Sequence, residues 1–90
     1  FLYEPQSGRT LEVRTTEPGL LIYTGQSFSE ETIGKNKKPI CKYGGLILEA
    51  THYPDTPNQP FFPPCILRPG EKYHSVTVYQ FGIRLQSNFQ

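Results

Sequence analysis

An all-β, antiparallel fold is expected from this sequence, and three observations predict it. Apolar and polar residues alternate over short stretches, as on strands with one covered face. Glycine and proline supply 8 + 9 = 17 of the 90 residues and divide the chain into short runs. Aromatic residues reach 13%, with six Tyr and six Phe, and no heptad or internal repeat occurs. Ninety residues allow one small domain, 1–90. A chain of this size buries only about 60% of its unfolded surface. Strands with an apolar face need a second layer, so the expected architecture is an antiparallel β-sandwich, with this chain contributing part of it.

The elements follow in order. In "TLEVRTT", Leu11 and Val13 face one side while Glu12 and Arg14 face the other, which is a half-buried strand. "EPGL" pairs Pro18 with Gly19, as a type II turn does. "LLIYT", Leu20 to Thr24, is almost wholly apolar and suits a central strand buried on both faces. Residues 25–38 are polar and form a long excursion, in which a short helix over Glu30 to Ile33 is allowed. "LILEA", Leu46 to Ala50, is the next strand.

Pro54, Pro57, Pro60, Pro63 and Pro64 then exclude a central strand, because proline lacks a ladder donor. That segment is a stiff loop, with Phe61 and Phe62 available to pin it. "CIL", Cys65 to Leu67, is a short strand, and "RPGE" is a second type II turn on Pro69 and Gly70. A long strand runs from Tyr73 to Leu85, with Tyr73, Thr77, Tyr79, Phe81, Ile83 and Leu85 on one face. Gly82 inside it suggests a bulge. The tail "QSNFQ" frays.

Several functions are disfavoured. The formal net charge is +1, which gives no electrostatic basis for binding nucleic acid or an anionic membrane. Lys35, Lys37 and Lys38 form a solvated loop. Cys41 and Cys65 fit no CxxC metal spacing, and buried free thiols are the default reading, with a disulfide left open. His52 and His74 lie far apart without a supporting acid pattern, so no metal site is expected. No run approaches the ~18 apolar residues of a membrane helix, and no signal peptide is visible. The chain contains no methionine and begins "FLYEP", so it is expected to be a processed product or a piece of something longer.

The informative residue is Glu49, a carboxylate ending the apolar run Leu46, Ile47, Leu48. A buried unpaired carboxylate costs several kcal/mol or neutralises, so Glu49 is solvated, paired, or placed for chemistry. Acid/base catalysis needs a partner acid as well. His52 is three residues on, which along a continuing strand is the opposite face, roughly 10 Å away. The chain therefore carries half of a catalytic apparatus.

"EPGLLIYTG", "GGLILEATHYPDTPNQPFFPPCILRPGEKY" and "VTVYQF" resemble the C-terminal part of the aldose 1-epimerase (galactose mutarotase) family. The matching pattern is Leu48–Glu49, Pro54–Asp55, Asn58 to Pro60, Phe62 to Pro64, and Leu67 to Glu71. The resemblance spans about Thr10 to Phe81. Single pieces such as "RPGE" are weak, whereas the ordered set at matching spacing is strong.

The resemblance implies a large β-sandwich, several times longer than this chain, that needs no cofactor and acts on hexoses such as galactose and glucose in the cytoplasm. A base takes the C1 hydroxyl proton while an acid protonates the ring oxygen. The ring opens, the C1–C2 bond turns, and closure from the other face gives the other anomer. Glu49 matches the family's base. The family's acid histidine and other sugar-binding residues lie N-terminal, so the remainder of the same protein is the implied partner, and neither His52 nor His74 is assigned to those roles. Two positions depart from the pattern. Leu21 stands where a sugar-binding Gln is frequent, and Ala50–Thr51 stand where Thr-Gln is frequent. These departures leave a second reading, a non-catalytic sugar-binding or interaction β-domain that keeps the fold. A sugar-phosphate epimerase would want clustered arginines, which are absent.

Overall fold

The computed structural model describes residues 1–85, and the expected all-β, antiparallel organisation is what it contains. The strands are β1 (Leu2–Tyr3), β2 (Arg9–Thr15), β3 (Gly19–Tyr23), β4 (Ile47–Thr51) and β5 (Thr77–Ile83). Helical structure among the described residues amounts to single 3₁₀ turns at Lys35–Lys37 and Thr56–Asn58. None is long and apolar enough to cross a membrane. The tail "QSNFQ" lies outside the described residues.

The chain divides into two compact units, Phe1–Glu17 with the residues from Ile66 onward, and Pro18–Cys65. The first holds a three-stranded antiparallel sheet of order β1-β2-β5. Its register pairs Leu11 with Phe81, Val13 with Tyr79 and Arg9 with Ile83, while Leu2 pairs with Leu11. Because side chains alternate along a strand, Leu2, Leu11, Val13, Tyr79, Phe81 and Ile83 share one apolar face. The other face carries Glu12, Arg14 and Gln80. There the Arg14 Nε donates to Glu12 Oε1 at 2.8 Å and its Nη2 to Gln80 Oε1 at 3.1 Å. This ion pair is exposed and water-screened, so it orders the polar face more than it stabilises the fold. The alternation expected over Leu11 to Arg14 is the one observed.

Four local expectations are corrected in this unit and at its boundaries. β5 spans Thr77–Ile83, shorter than Tyr73 to Leu85, because β2, its hydrogen-bonded neighbour here, runs only from Arg9 to Thr15. Gly82 makes no bulge, since it pairs in regular register with Thr10. It is instead a close approach: a Cβ there would meet the Thr10 Oγ1 at 2.9 Å. Ile66 and Leu67 lie in exposed coil rather than a strand, with no ladder partner among the described residues. The turn at "EPGL" is a bend whose Gly19 already begins β3, without the positive φ of a type II turn. By contrast "RPGE" behaves as expected. Gly70 has φ +87° and the Glu71 N–H donates to the Arg68 carbonyl at 3.0 Å.

Gly8 closes the β1–β2 turn. Its N–H donates to Glu4 O at 2.8 Å, and its own carbonyl accepts from the Arg84 N–H at 2.7 Å. Its φ is +78°, and an added Cβ would sit 2.5 Å from the Arg84 carbonyl oxygen. Gly8→Ala should therefore destabilise the protein by about 1–3 kcal/mol, from left-handed strain plus a backbone collision. A urea midpoint of the full-length variant equal to that of the wild type would contradict this.

The second unit holds the β3-β4 ribbon, with Leu21 opposite Glu49 and Ile22 opposite Leu48. The apolar run of β3 is not buried on both faces, as the sequence leads one to expect. β4 is its hydrogen-bonded neighbour among the described residues, and Leu20, Leu21 and Ile22 are exposed. Residues 24–46 form the long excursion. No helix occupies Glu30 to Ile33; Ile33 instead bridges Pro39, and Thr32 O accepts from the Ile40 N–H at 2.8 Å. Lys35, Lys37 and Lys38 are solvated. Both cysteines are free thiols, but exposed, because the loops that carry them have no covering layer in these residues. Of the two loop phenylalanines, Phe62 is the one with a ring partner among the described residues. Its ring meets Tyr53 edge-on at 5.2 Å, whereas Phe61 is 97% exposed.

Candidate functional site

The β3-β4 ladder brings together the two positions that the sequence singles out. Leu21 and Glu49 are direct cross-strand partners. Opposed residues on antiparallel strands project from the same face, with Cβ atoms about 4.5–5.5 Å apart. Glu49 is held on a regular strand, not on a loop, in mid-strand of β4, so its direction is fixed by the ladder to β3. Its side chain is exposed, and among the described residues it enters no ion pair. Of the states that the sequence leaves open, burial among its apolar neighbours is not the one found. Leu46 and Ile47 are themselves open to solvent, so they withdraw little water from the carboxylate.

The register also separates the other departures. Ala50 pairs with Leu20 and therefore points away from the Glu49 face. Thr51 pairs with Gly19 and shares that face. Of the departing positions, only Leu21 and Thr51 thus share the face of Glu49.

Next to Leu21 lies a depression of about 290 Å³, lined by Gly19, Leu20, Leu21, Thr51, His52, Tyr53 and Pro54. Gly19 is needed there because the Tyr53 ring packs over it, leaving 3.0 Å between the Tyr53 Cδ1 and an added Cβ. His52 is half-buried in this lining. β4 ends at Thr51, so strand alternation does not fix the direction of His52. The ladder ends there because Thr51 pairs with Gly19, the first residue of β3. Sequence reasoning left His52, Tyr53 and Pro54 out of the site. His74 belongs to the first unit and is exposed. Among the described residues no three His, Cys, Asp or Glu side chains gather as a metal-binding group.

The loop after the depression is braced by Asp55, which has φ +63°. Its carboxylate accepts from Asn58 Nδ2 at 2.6 Å and from Gln59 Nε2 at 2.9 Å. The Thr56 hydroxyl also donates to the Tyr53 carbonyl. The hydrogen bond from Asn58, then that from Gln59, holds the Asp55 carboxyl below its ordinary value. A lowered carboxyl pKa in the folded state adds stability above the unfolded value, and that contribution is lost as pH falls through the folded value. An NMR titration of Asp55 should give a midpoint below the usual carboxylate range, and Asn58→Ala should raise it. A wild-type midpoint at or above that range would contradict the bracing.

Comparison with known proteins decides the family. The aldose 1-epimerase family profile matches residues 1–80. This chain belongs to the aldose 1-epimerase family. It is 48% identical over 77 residues to mouse (Mus musculus) galactose mutarotase, covering 86% of this chain and 22% of the relative. It is 44% identical over 82 residues to the human (Homo sapiens) galactose mutarotase, covering 91% and 24%. The aldose 1-epimerase of Escherichia coli (strain K12) is 45% identical over 73 residues, covering 79% and 21%. The chain thus spans between a fifth and a quarter of the length of these relatives.

Proposed function

We propose that these 90 residues are the C-terminal part of one β-sandwich domain of a longer aldose 1-epimerase. In that protein Glu49 is the general base that interconverts the α and β anomers of hexoses such as galactose and glucose. The carboxylate takes the proton of the C1 hydroxyl while an acid from the N-terminal remainder protonates the ring oxygen. The ring opens to the aldehyde, the C1–C2 bond rotates, and the C5 hydroxyl closes on the other face. Both transfers are proton movements, so acid and base suffice for the chemistry. The cytoplasm is the proposed location.

The observation that carries this reading is the register of Glu49 opposite Leu21, with the carboxylate exposed on a strand. The relatives named galactose mutarotase and aldose 1-epimerase support it across most of the chain. One feature favours a second reading, a non-catalytic sugar-binding or interaction domain. An apolar Leu21 stands directly beside Glu49, where a hydroxyl partner is frequent in the family. Polarimetry of freshly dissolved α-D-galactose or α-D-glucose with the full-length protein separates the two. Mutarotation faster than buffer alone is expected; a folded protein without acceleration would leave the second reading.

A further inference from the structure

We infer that the hairpin tip carrying Lys35, Lys37 and Lys38 is a docking surface for an acidic segment of a partner protein. This goes beyond the Glu49 reading and does not depend on it. Charge in this chain is segregated, which its net value of +1 conceals. Residues 32–48 hold Lys35, Lys37, Lys38 and Lys42 and no carboxylate, which leaves 9 − 4 = 5 basic against 8 acidic side chains elsewhere. Association follows such local fields more than net charge.

The structure gathers three of these lysines at one tip. Ile33 bridges Pro39, the Ile40 N–H donates to the Thr32 carbonyl at 2.8 Å, and the Gly34 N–H donates to the Lys38 carbonyl at 2.7 Å. The Lys38 N–H donates to the Lys35 carbonyl at 3.3 Å and closes the turn. Lys35, Lys37 and Lys38 are exposed and enter no ion pair among the described residues. Glu30 and Glu31 precede the Thr32–Ile40 hydrogen bond. About 10 Å of extended chain therefore separates them from the tip, against a screening length of about 8 Å. Lys42 lies at the base, with its ammonium over the Tyr43 ring at 5.4 Å. Lys37 has φ +57°, a left-handed conformation in which glycine would be unstrained. A charged side chain thus stands at the tip against its backbone preference.

The chemistry of the tip selects among anionic partners. Residues 32–48 contain no arginine, whose planar fork suits bidentate phosphate contacts. Residues 34–38 carry no aromatic ring to stack on a base and no apolar side chain to enter a bilayer. Three lysines also fall short of the roughly four to eight cations of lipid-binding clusters. Separate ammonium groups on a short turn suit separate carboxylates, as on a run of Asp and Glu.

The test measures binding of a fluorescein-labelled deca-glutamate peptide to the full-length protein by anisotropy. The wild type should bind at low salt and release the peptide at high salt. The triple variant Lys35→Gln, Lys37→Gln, Lys38→Gln should bind about tenfold more weakly, the effect of three exposed charge contacts. Lys72→Gln, which removes one charge from the other unit, should bind as the wild type does. Lys37→Gly should weaken binding while its thermal midpoint holds or rises, which separates lost charge from lost folding. Absence of wild-type binding at low salt, or equal weakening by Lys72→Gln and the triple variant, would overturn the inference. Tighter tip-dependent binding to phosphatidylserine vesicles or to duplex DNA than to the peptide would overturn the assignment to an acidic protein segment.

Discussion

The isolated 90-residue chain should not accelerate mutarotation, and its urea unfolding should be gradual rather than cooperative. Two physical deficits lead there. No apolar side chain is buried among the described residues; Phe81 and Ile83 are 78% and 74% exposed. Fully burying one such side chain contributes about 1.5–3 kcal/mol, and the isolated chain forgoes that at each open position. The β3-β4 ribbon is two-stranded, a size that is marginal in water without a covering layer. The second deficit is chemical, because a base without a positioned acid catalyses only half of the proton exchange. Polarimetry of fresh α-D-galactose with the pure chain, set against a buffer blank, measures the first expectation. A rate well above the blank would contradict it and would bring His52 or His74 forward as the acid.

Strand positions were legible in the sequence wherever alternation was strict. Leu11 to Arg14 show this, because their period of two both predicts a strand and assigns each face. Runs without alternation were misleading. "LLIYT" reads as doubly buried, yet Leu20 to Ile22 lie open, since burial depends on residues that the run itself does not specify. "CIL" was too short for its apolar character to indicate pairing. Gly82 marked a real steric constraint but not its kind, since a bulge and a close cross-strand contact both demand a missing Cβ.

Glu49 was conspicuous from sequence because a carboxylate ends an apolar run. Its pairing with Leu21 was not legible, since register depends on the ladder across the 23-residue separation between the strands that ends at Ile47. The same register moved Ala50 to the far face. The direction of His52 was not legible, because the strand on which alternation would have fixed it stops at Thr51.

Glu49→Gln in the full-length protein should reduce turnover of galactose or glucose by about 10²- to 10⁴-fold, the usual effect of losing a general base. The amide keeps the size and shape of the carboxylate but cannot take the C1 hydroxyl proton. Glu49 is exposed and enters no ion pair among the described residues, so its replacement should not disturb folding of the ladder. A loss confined to kcat and kcat/KM, with sugar binding retained, would match a group that acts in the transition state. The decisive measurement is therefore the polarimetric kcat of Glu49→Gln beside the wild type, at equal thermal midpoints. The account predicts a fall of at least about a hundredfold; a folded variant turning over sugar at a near-native rate would show that Glu49 is not the base.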